Sequence, residues 1–204
     1  MRPSSELIEI LPLTRDRFAD LAALFEQGGD PRWCWCSSFR LRSQDFTKAN
    51  PESNREVLRT AVREQSNAPG LVAYEDGAAV GWVSLGPRSD FERLAHARVL
   101  APVDDKPVWS IVCFVVGRKS RRQGVARALL DAAVAYAREH GATTIEAYPT
   151  EVPEGGRIPS ANAYMGTLGM FERAGFKVVE RRQANATTAV RPIVRRSLRP
   201  RKAP

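Results

Sequence analysis

The stretch from Val108 to Leu130 constrains the fold more than any other part of this chain. Val108 to Val116 is apolar and rich in β-branched residues, and its near-continuous hydrophobicity predicts a strand buried on both faces. A polar, arginine-rich turn follows and opens directly into a helical pattern, in which Val125, Leu129, Ala133 and Ala137 share one face. His140-Gly141 closes that helix, and Thr143 to Tyr148 reads as a strand again. Strand, helix and strand in succession imply a crossover between parallel strands. The fold must therefore contain at least one parallel pair.

The flanking segments complete a mixed α/β order. A first strand is expected over residues 6–13, then a helix capped by Thr14 with Phe18, Leu21, Leu24 and Phe25 on its buried face and Gly28 at its end. Asn50-Pro51-Glu52 starts another helix, with a cap, a proline in the first turn and an early acid. Strands near Gly70 to Glu75 and Ala78 to Leu85 are joined by Asp76-Gly77, a hairpin signal, and Gly86-Pro87-Arg88-Ser89 ends that unit. Beyond a loop from Pro149 to Pro159, a short helix containing Thr167 to Arg173 stops at Gly175. Closing strands are expected near Lys177 to Arg181 and Thr188 to Leu198.

The formal net charge is +8, from 31 basic and 23 acidic side chains. The excess lies entirely beyond residue 180: Arg181, Arg182, Arg191, Arg195, Arg196, Arg199, Arg201 and Lys202 stand there without one acid. The body is neutral, and the basic end reads first as a solvated terminus, with attraction to nucleic acid or membrane the less favoured use. No apolar run approaches the ~20 residues that span a bilayer. Met1-Arg2-Pro3-Ser4-Ser5 leads into no long apolar block, which argues against a secretory leader. The three cysteines make no disulfide framework. A cytoplasmic protein is expected, with no membrane partner and nucleic acid disfavoured.

The chemistry concentrates in Phe114 to Leu130. A helix's first turn presents unpaired N–H groups and a partial positive charge. Gly124 and Ala126 let a ligand approach the backbone closely, and Arg118, Lys119, Arg121 and Arg122 add charge. Together these favour a phosphate or pyrophosphate, although a plain turn with solvated arginines would read the same way. The spacing is neither that of a nucleotide-triphosphate P-loop nor that of a dinucleotide-binding turn.

Arg121-x-x-Gly124-x-Ala126 followed by Leu129-Leu130 resembles the acetyl-CoA-binding motif of the GNAT N-acetyltransferase superfamily, Gln/Arg-x-x-Gly-x-Gly/Ala. Phe171-Glu172-Arg173-Ala174-Gly175-Phe176 is similar to the family's Tyr-x-x-x-Gly-Phe. The resemblance implies a single domain over residues 6–198, with residues 199–204 a basic tail. It implies a mixed, mostly antiparallel sheet with one parallel, splayed strand pair and flanking helices. It implies acetyl-CoA as donor, no metal, an amine acceptor and direct transfer without a covalent enzyme intermediate. The backbone of Phe114, Val115 and Val116 would bind the pantetheine arm. The N–H groups of Arg122, Gln123, Gly124, Val125, Ala126 and Arg127, beside Arg121, would hold the pyrophosphate. A homodimer is common in the family. A non-catalytic acyl-CoA- or nucleic-acid-binding module on the same fold is the alternative.

An ammonium must lose its proton before it attacks a thioester. The resemblance carries a base to Glu146, which strand alternation places on one face with Tyr148; a surface or arginine-paired glutamate is the competing reading. The family's usual acid is the tyrosine that Phe171 replaces here, so Tyr164, Tyr148 or Ser160 would have to serve, or none, because a thiol pKa of ~8.5 makes thiolate a tolerable leaving group. Tyr164 is the candidate acid, with a wall of the acceptor pocket its competing use. Glu151 and Glu154 in the preceding loop could attract a cationic amine, although solvated loop charges are the favoured reading. Trp33-Cys34-Trp35-Cys36 offers half of a zinc site, but Cys113, His96 and His140 stand at no metal spacing. Its tryptophans suit either the acceptor pocket or the core.

Overall fold

The structure, a computed structural model, describes residues 8–151, 164–185 and 189–198. Ser160, Glu154, most of the loop before Tyr164, the start of the expected first strand and the basic tail lie outside the described residues.

The chain opens with β1 (Glu9–Pro12) and α1 (Phe18–Glu26). Thr14 does not cap α1; the helix starts after Arg17, whose Nη1 donates to Thr14 Oγ1 at 3.1 Å. Two short helices that the hydrophobic pattern did not announce come next, α2 (Asp30–Cys34) and α3 (Ser43–Phe46). They are too short to show a 3.6-residue period. α4 (Pro51–Glu64) starts where Asn50 and Pro51 require, with reciprocal bonds between Asn50 and Ser53 at its N-terminus.

β2 (Gly70–Glu75) and β3 (Ala78–Pro87) form the expected hairpin. Asp76 and Gly77 take φ of 49° and 76°, the left-handed pair that matches strand twist in a two-residue turn. After α5 (Glu92–His96) comes β4 (Trp109–Val116), then α6 (Val125–Glu139), β5 (Thr144–Ala147), α7 (Leu168–Arg173), β6 (Lys177–Arg182) and β7 (Arg191–Ser197).

Among the described residues the strands form one seven-stranded sheet in the order β1-β2-β3-β4-β5-β7-β6. The β4–β5 pair is parallel and the others are antiparallel. β4 and β5 stay in register only from Trp109↔Ile145 to Ile111↔Ala147, while β4 runs on to Val116 beside β3. The β3–β4 register shifts at Ser84/Leu85, which leaves Val112 as an extra residue on β4. Such a bulge bends a strand and increases its twist. The parallel strands therefore part beyond Ile111, and a cleft opens between them.

Each sheet face carries its own core. α6 covers one, burying Leu129, Leu130, Ala133 and Ala137 at 0% exposure; each leucine contributes about 1.5–3 kcal/mol. Gly81 on β3 permits this approach, since a Cβ there would stand 2.7 Å from Val125 Cγ1. The other face packs against α1, the turn after α2, and α5, around Phe25, Trp35, Trp82 and Phe91.

Candidate active site

The cleft between β4 and β5 leads to the start of α6. Gly124 caps that helix at φ 90°, with no side-chain capping hydrogen bond and no acid in the first turn. A Cβ on Gly124 would meet nothing within 4 Å, so the space beyond it is open. The N–H groups of Arg122, Gln123, Gly124, Val125 and Ala126 find no acceptor among the described residues. Arg127 differs: its N–H donates to Gly124 O at 2.9 Å, and its Nε bonds Asp131 at 2.7 Å. The uncapped turn, its glycine and its free amides fit a pyrophosphate, but the row of donors stops at Ala126.

Along β4 the three expected residues also separate. Phe114 N–H donates to Tyr164 O at 2.6 Å, so it is already taken. Strand alternation turns Val116 to the same open side and turns Val115 towards β3, where it stands opposite Trp82. Val116 O accepts from Arg121 Nε at 3.2 Å, which folds that side chain back over the strand end.

Two cavities meet at this cleft. One of ≈ 650 Å³ is lined by Val115, Val116, Gly117, Arg121, Gly29 and Asp30, among others. The second, ≈ 490 Å³, lies towards α2, α3 and α5, with Trp33, Phe39, Phe46 and Leu100 among its walls and Arg93 and Arg191 facing it. Asp30 and Tyr164 line both. Burial raises the Tyr164 phenol, with further contributions from the Asp30 charge, although the Asp30 N–H it accepts pulls the other way. The phenol therefore holds its proton more tightly than an ordinary tyrosine.

Glu146 lies elsewhere. It is 1% exposed and lines neither cavity. Its Oε1 accepts from Arg88 Nη1 at 2.7 Å and from Tyr148 OH at 2.6 Å, and its Oε2 from Arg195 Nε at 2.7 Å. Arg195 also forks onto Asp104 at 2.8 and 2.9 Å. Ser110, Glu146 and Arg195 stand in register across β4, β5 and β7. The expected base is thus the centre of a buried ion-pair network. Both its oxygens accept hydrogen bonds from these partners. Arg88, read from sequence only as the end of a strand unit, is its chief partner and also bonds the carbonyls of Leu94 and Leu100. Tyr148 is held protonated by burial first and by the Glu146 charge next.

Phe171 is fully buried between Phe114 and Phe176, with ring centroids 6.1 and 5.1 Å away. The Trp-Cys-Trp-Cys stretch divides its duties. Trp33 is 41% exposed, meets Phe46 edge-on and lines the smaller cavity. Trp35 is core, stacked on Phe18 with Arg55 over its ring. Trp35 and Cys36 take positive φ of 46° and 52°, which costs about 1–2 kcal/mol each. The buried Asn54 holds this turn through Ser37 Oγ and Trp33 O. Cys36 Sγ lies 3.1 Å from Cys113 Sγ. A hydrogen bond with Cys36 and burial push the Cys34 thiol far up, and a hydrogen bond with Cys113 and burial do the same for Cys36 although Cys34 pulls it the other way, so neither is a ready thiolate. Among the described residues no cluster of three or more His, Cys, Asp or Glu could hold a metal ion.

Asp30, Arg93 and Arg191 drew no functional attention in the sequence. Asp30 opens the short α2 just after Gly28-Gly29 with no periodic signal, Arg93 lies in another short helix, and Arg191 reads as part of the basic end.

The model of the acetyltransferase (GNAT) family matches residues 35–176. Among solved structures, the fold resembles an acetyltransferase of the GNAT family from Bacillus cereus, at 15% identity and TM-score 0.55, covering 95% of this chain and 99% of that one. It also resembles a ribosomal-protein-alanine N-acetyltransferase from Brucella melitensis, at 18% identity and TM-score 0.55, covering 93% and 99%. A chain of the NatC complex bound to Gag peptide and CoA matches at 13% identity and TM-score 0.54, covering 94% and 99%. None of the curated proteins matches this chain.

Proposed function

The chain belongs to the acetyltransferase (GNAT) family, and from that premise we propose that it moves the acetyl group of acetyl-CoA directly onto an amine. The observation that carries this reading is the meeting of two cavities at Asp30 and Tyr164, where β4 and β5 part. The larger leads from the arginine-rich turn along Val116 and suits the coenzyme; the smaller suits an acceptor.

In this reading the amides of Arg122 to Ala126 hold the pyrophosphate, and Arg121 adds charge once it swings off Val116 O. The open backbone of Val116 binds the pantetheine arm, while Phe114, its N–H taken by Tyr164 O, supports the strand from the core with its ring against Phe171. Bound acetyl-CoA supplies the thioester that the amine attacks. Asp30, at the junction, draws the ammonium in and passes its proton towards solvent. Tyr164, which keeps its proton through neutral pH, donates to the departing thiolate. Glu146 acts through Arg88 instead, which ties the carbonyls of Leu94 and Leu100 and so fixes the wall that bears Arg93.

Replacement of the family's tyrosine by Phe171 favours a rival reading, an acyl-CoA binder without turnover. Tyr164 in both cavities speaks against it. Release of free thiol from acetyl-CoA, measured against a panel of primary amines, tests the proposal. Coenzyme A binding in calorimetry with no amine-dependent thiol release would select the rival.

A further inference from the structure

We infer that the acceptor amine carries an anionic group, a carboxylate in the simplest case, on an apolar body, and that Arg93 and Arg191 hold that anion in the ≈ 490 Å³ cavity. The inference rests on the acetyl-transfer reading and names the substrate class of its acceptor site.

The two arginines come from α5 and from the first residue of β7, far apart in the chain, yet face one space. Neither pairs with an acidic side chain among the described residues. Arg93 sits with Cζ 5.5 Å from the Phe39 ring centroid, and its Nε is buried without an acceptor. Arg191 Nη1 reaches only neutral groups, Thr150 Oγ1 at 3.2 Å and Met165 Sδ at 3.6 Å. Burial pulls both guanidiniums down, and the Arg93 charge pulls Arg191 down further.

Elsewhere the fold settles a buried arginine in one of two ways: Arg40 gives its Nη groups to Gln65 Oε1 and Pro69 O and lies over the Phe91 ring, whereas Arg88 and Arg195 meet carboxylates. Arg88 and Arg195 are 14% and 11% exposed at the side chain, and both are neutralised by Glu146, with Asp104 added for Arg195. Among the described residues no carboxylate pairs with either arginine of the cavity, and the Arg93 charge opposes that of the partly buried Arg191. An incoming anion would relieve that repulsion and could accept bidentate bonds.

The remaining walls define the rest of the ligand. Asp30 is the one acidic side chain among the described residues lining this cavity, and it also lines the coenzyme side, whereas the arginines do not. A zwitterion would therefore lie with its ammonium at the junction and its anion towards the arginines. Trp33, Phe46 and Leu100 would surround an apolar side chain. The volume suits a small molecule. Amino acids with hydrophobic side chains meet all of these conditions.

The test compares L-phenylalanine, L-leucine and L-methionine with the amines that lack only the carboxylate, using acetyl-CoA and the full chain. The amino acids should show kcat/KM at least about tenfold higher. Arg191→Gln and Arg93→Gln should erase that preference by lowering the amino-acid rates alone, with Arg191→Lys intermediate. Decarboxylated amines turned over as well as or better than the amino acids would overturn the inference. So would variants that melt as the wild type does yet slow both kinds of amine alike. Coenzyme A bound with no pair acetylated also counts against it and leaves the donor site standing. Absence of coenzyme A binding in the wild type is a different failure, which removes the acetyl-transfer reading and this inference with it.

Discussion

Arg195 and Glu146 face each other across β7 and β5, Nε to Oε2 at 2.7 Å, with Arg88 closing the other side of the same carboxylate at 2.7 Å. One buried negative charge thus serves two guanidiniums. Removing it should leave both without a full countercharge, and breaking a buried pair from one side costs about 3–5 kcal/mol. Glu146→Gln is therefore expected to lower the unfolding free energy measured in urea by an amount in that range. KM for the acceptor should rise as the Leu94–Leu100 wall loosens, while kcat of the folded protein changes little. A variant of wild-type stability whose kcat falls a hundredfold would return the base role to Glu146.

Asp104 gives this network its acid sensitivity. The hydrogen bond from Arg195 holds its carboxyl below the usual 3.8. A depressed folded-state pKa means that the unfolded chain binds the proton more tightly. The contribution is therefore fully present above pH ~4 and is lost as pH falls through the lower folded value. Asp104→Asn should flatten the fall in urea midpoint between pH 5 and pH 3. A curve parallel to wild type would show that the carboxylate adds nothing there.

What the sequence disclosed follows from which interactions are local. β4, the turn after it and α6 were legible because burial on both faces, arginine clustering and a 3.6-residue period each leave a mark within a few residues. Asn50, Pro51 and Glu52 announced α4 for the same reason. The partners of Glu146 did not, because Arg88 is 58 residues upstream and Arg195 is 49 downstream. The basic end was misleading in part: Arg191 and Arg195 are not solvated but turn into a cavity and into the buried network. Even inside the legible motif, pairing altered the detail, since the N–H groups of Phe114 and Arg127 are spent within the fold.

Gly124 separates two demands that its position makes at once. Its φ of 90° disfavours any side chain, while the space beyond it is open. Gly124→Ala carries the backbone strain alone. Gly124→Glu adds a carboxylate where the phosphates would approach. Coenzyme A affinity in calorimetry should fall at least about tenfold more for the glutamate than for the alanine, about 1.4 kcal/mol beyond the strain. Equal losses in the two variants would place the pyrophosphate away from this turn.

Tyr164 offers the sharpest test of the chemical step. Burial raises its phenol above the ordinary value of 10.0, so the proton-donating form persists throughout the range in which more of the amine becomes free. Wild-type kcat should rise with pH and show no fall through pH 8–9. Tyr164→Phe should lower kcat about tenfold. That loss is smaller than the 10²–10⁴ common for a general acid, because thiolate is already a tolerable leaving group. Coenzyme A affinity should change little, since Tyr164 O, not its hydroxyl, accepts from Phe114 at the cleft. Single-turnover rates from pH 6.5 to 10 distinguish the cases. Unchanged kcat in the variant, or a wild-type decline already under way at pH 8–9, would leave the thiolate to depart without help from this residue.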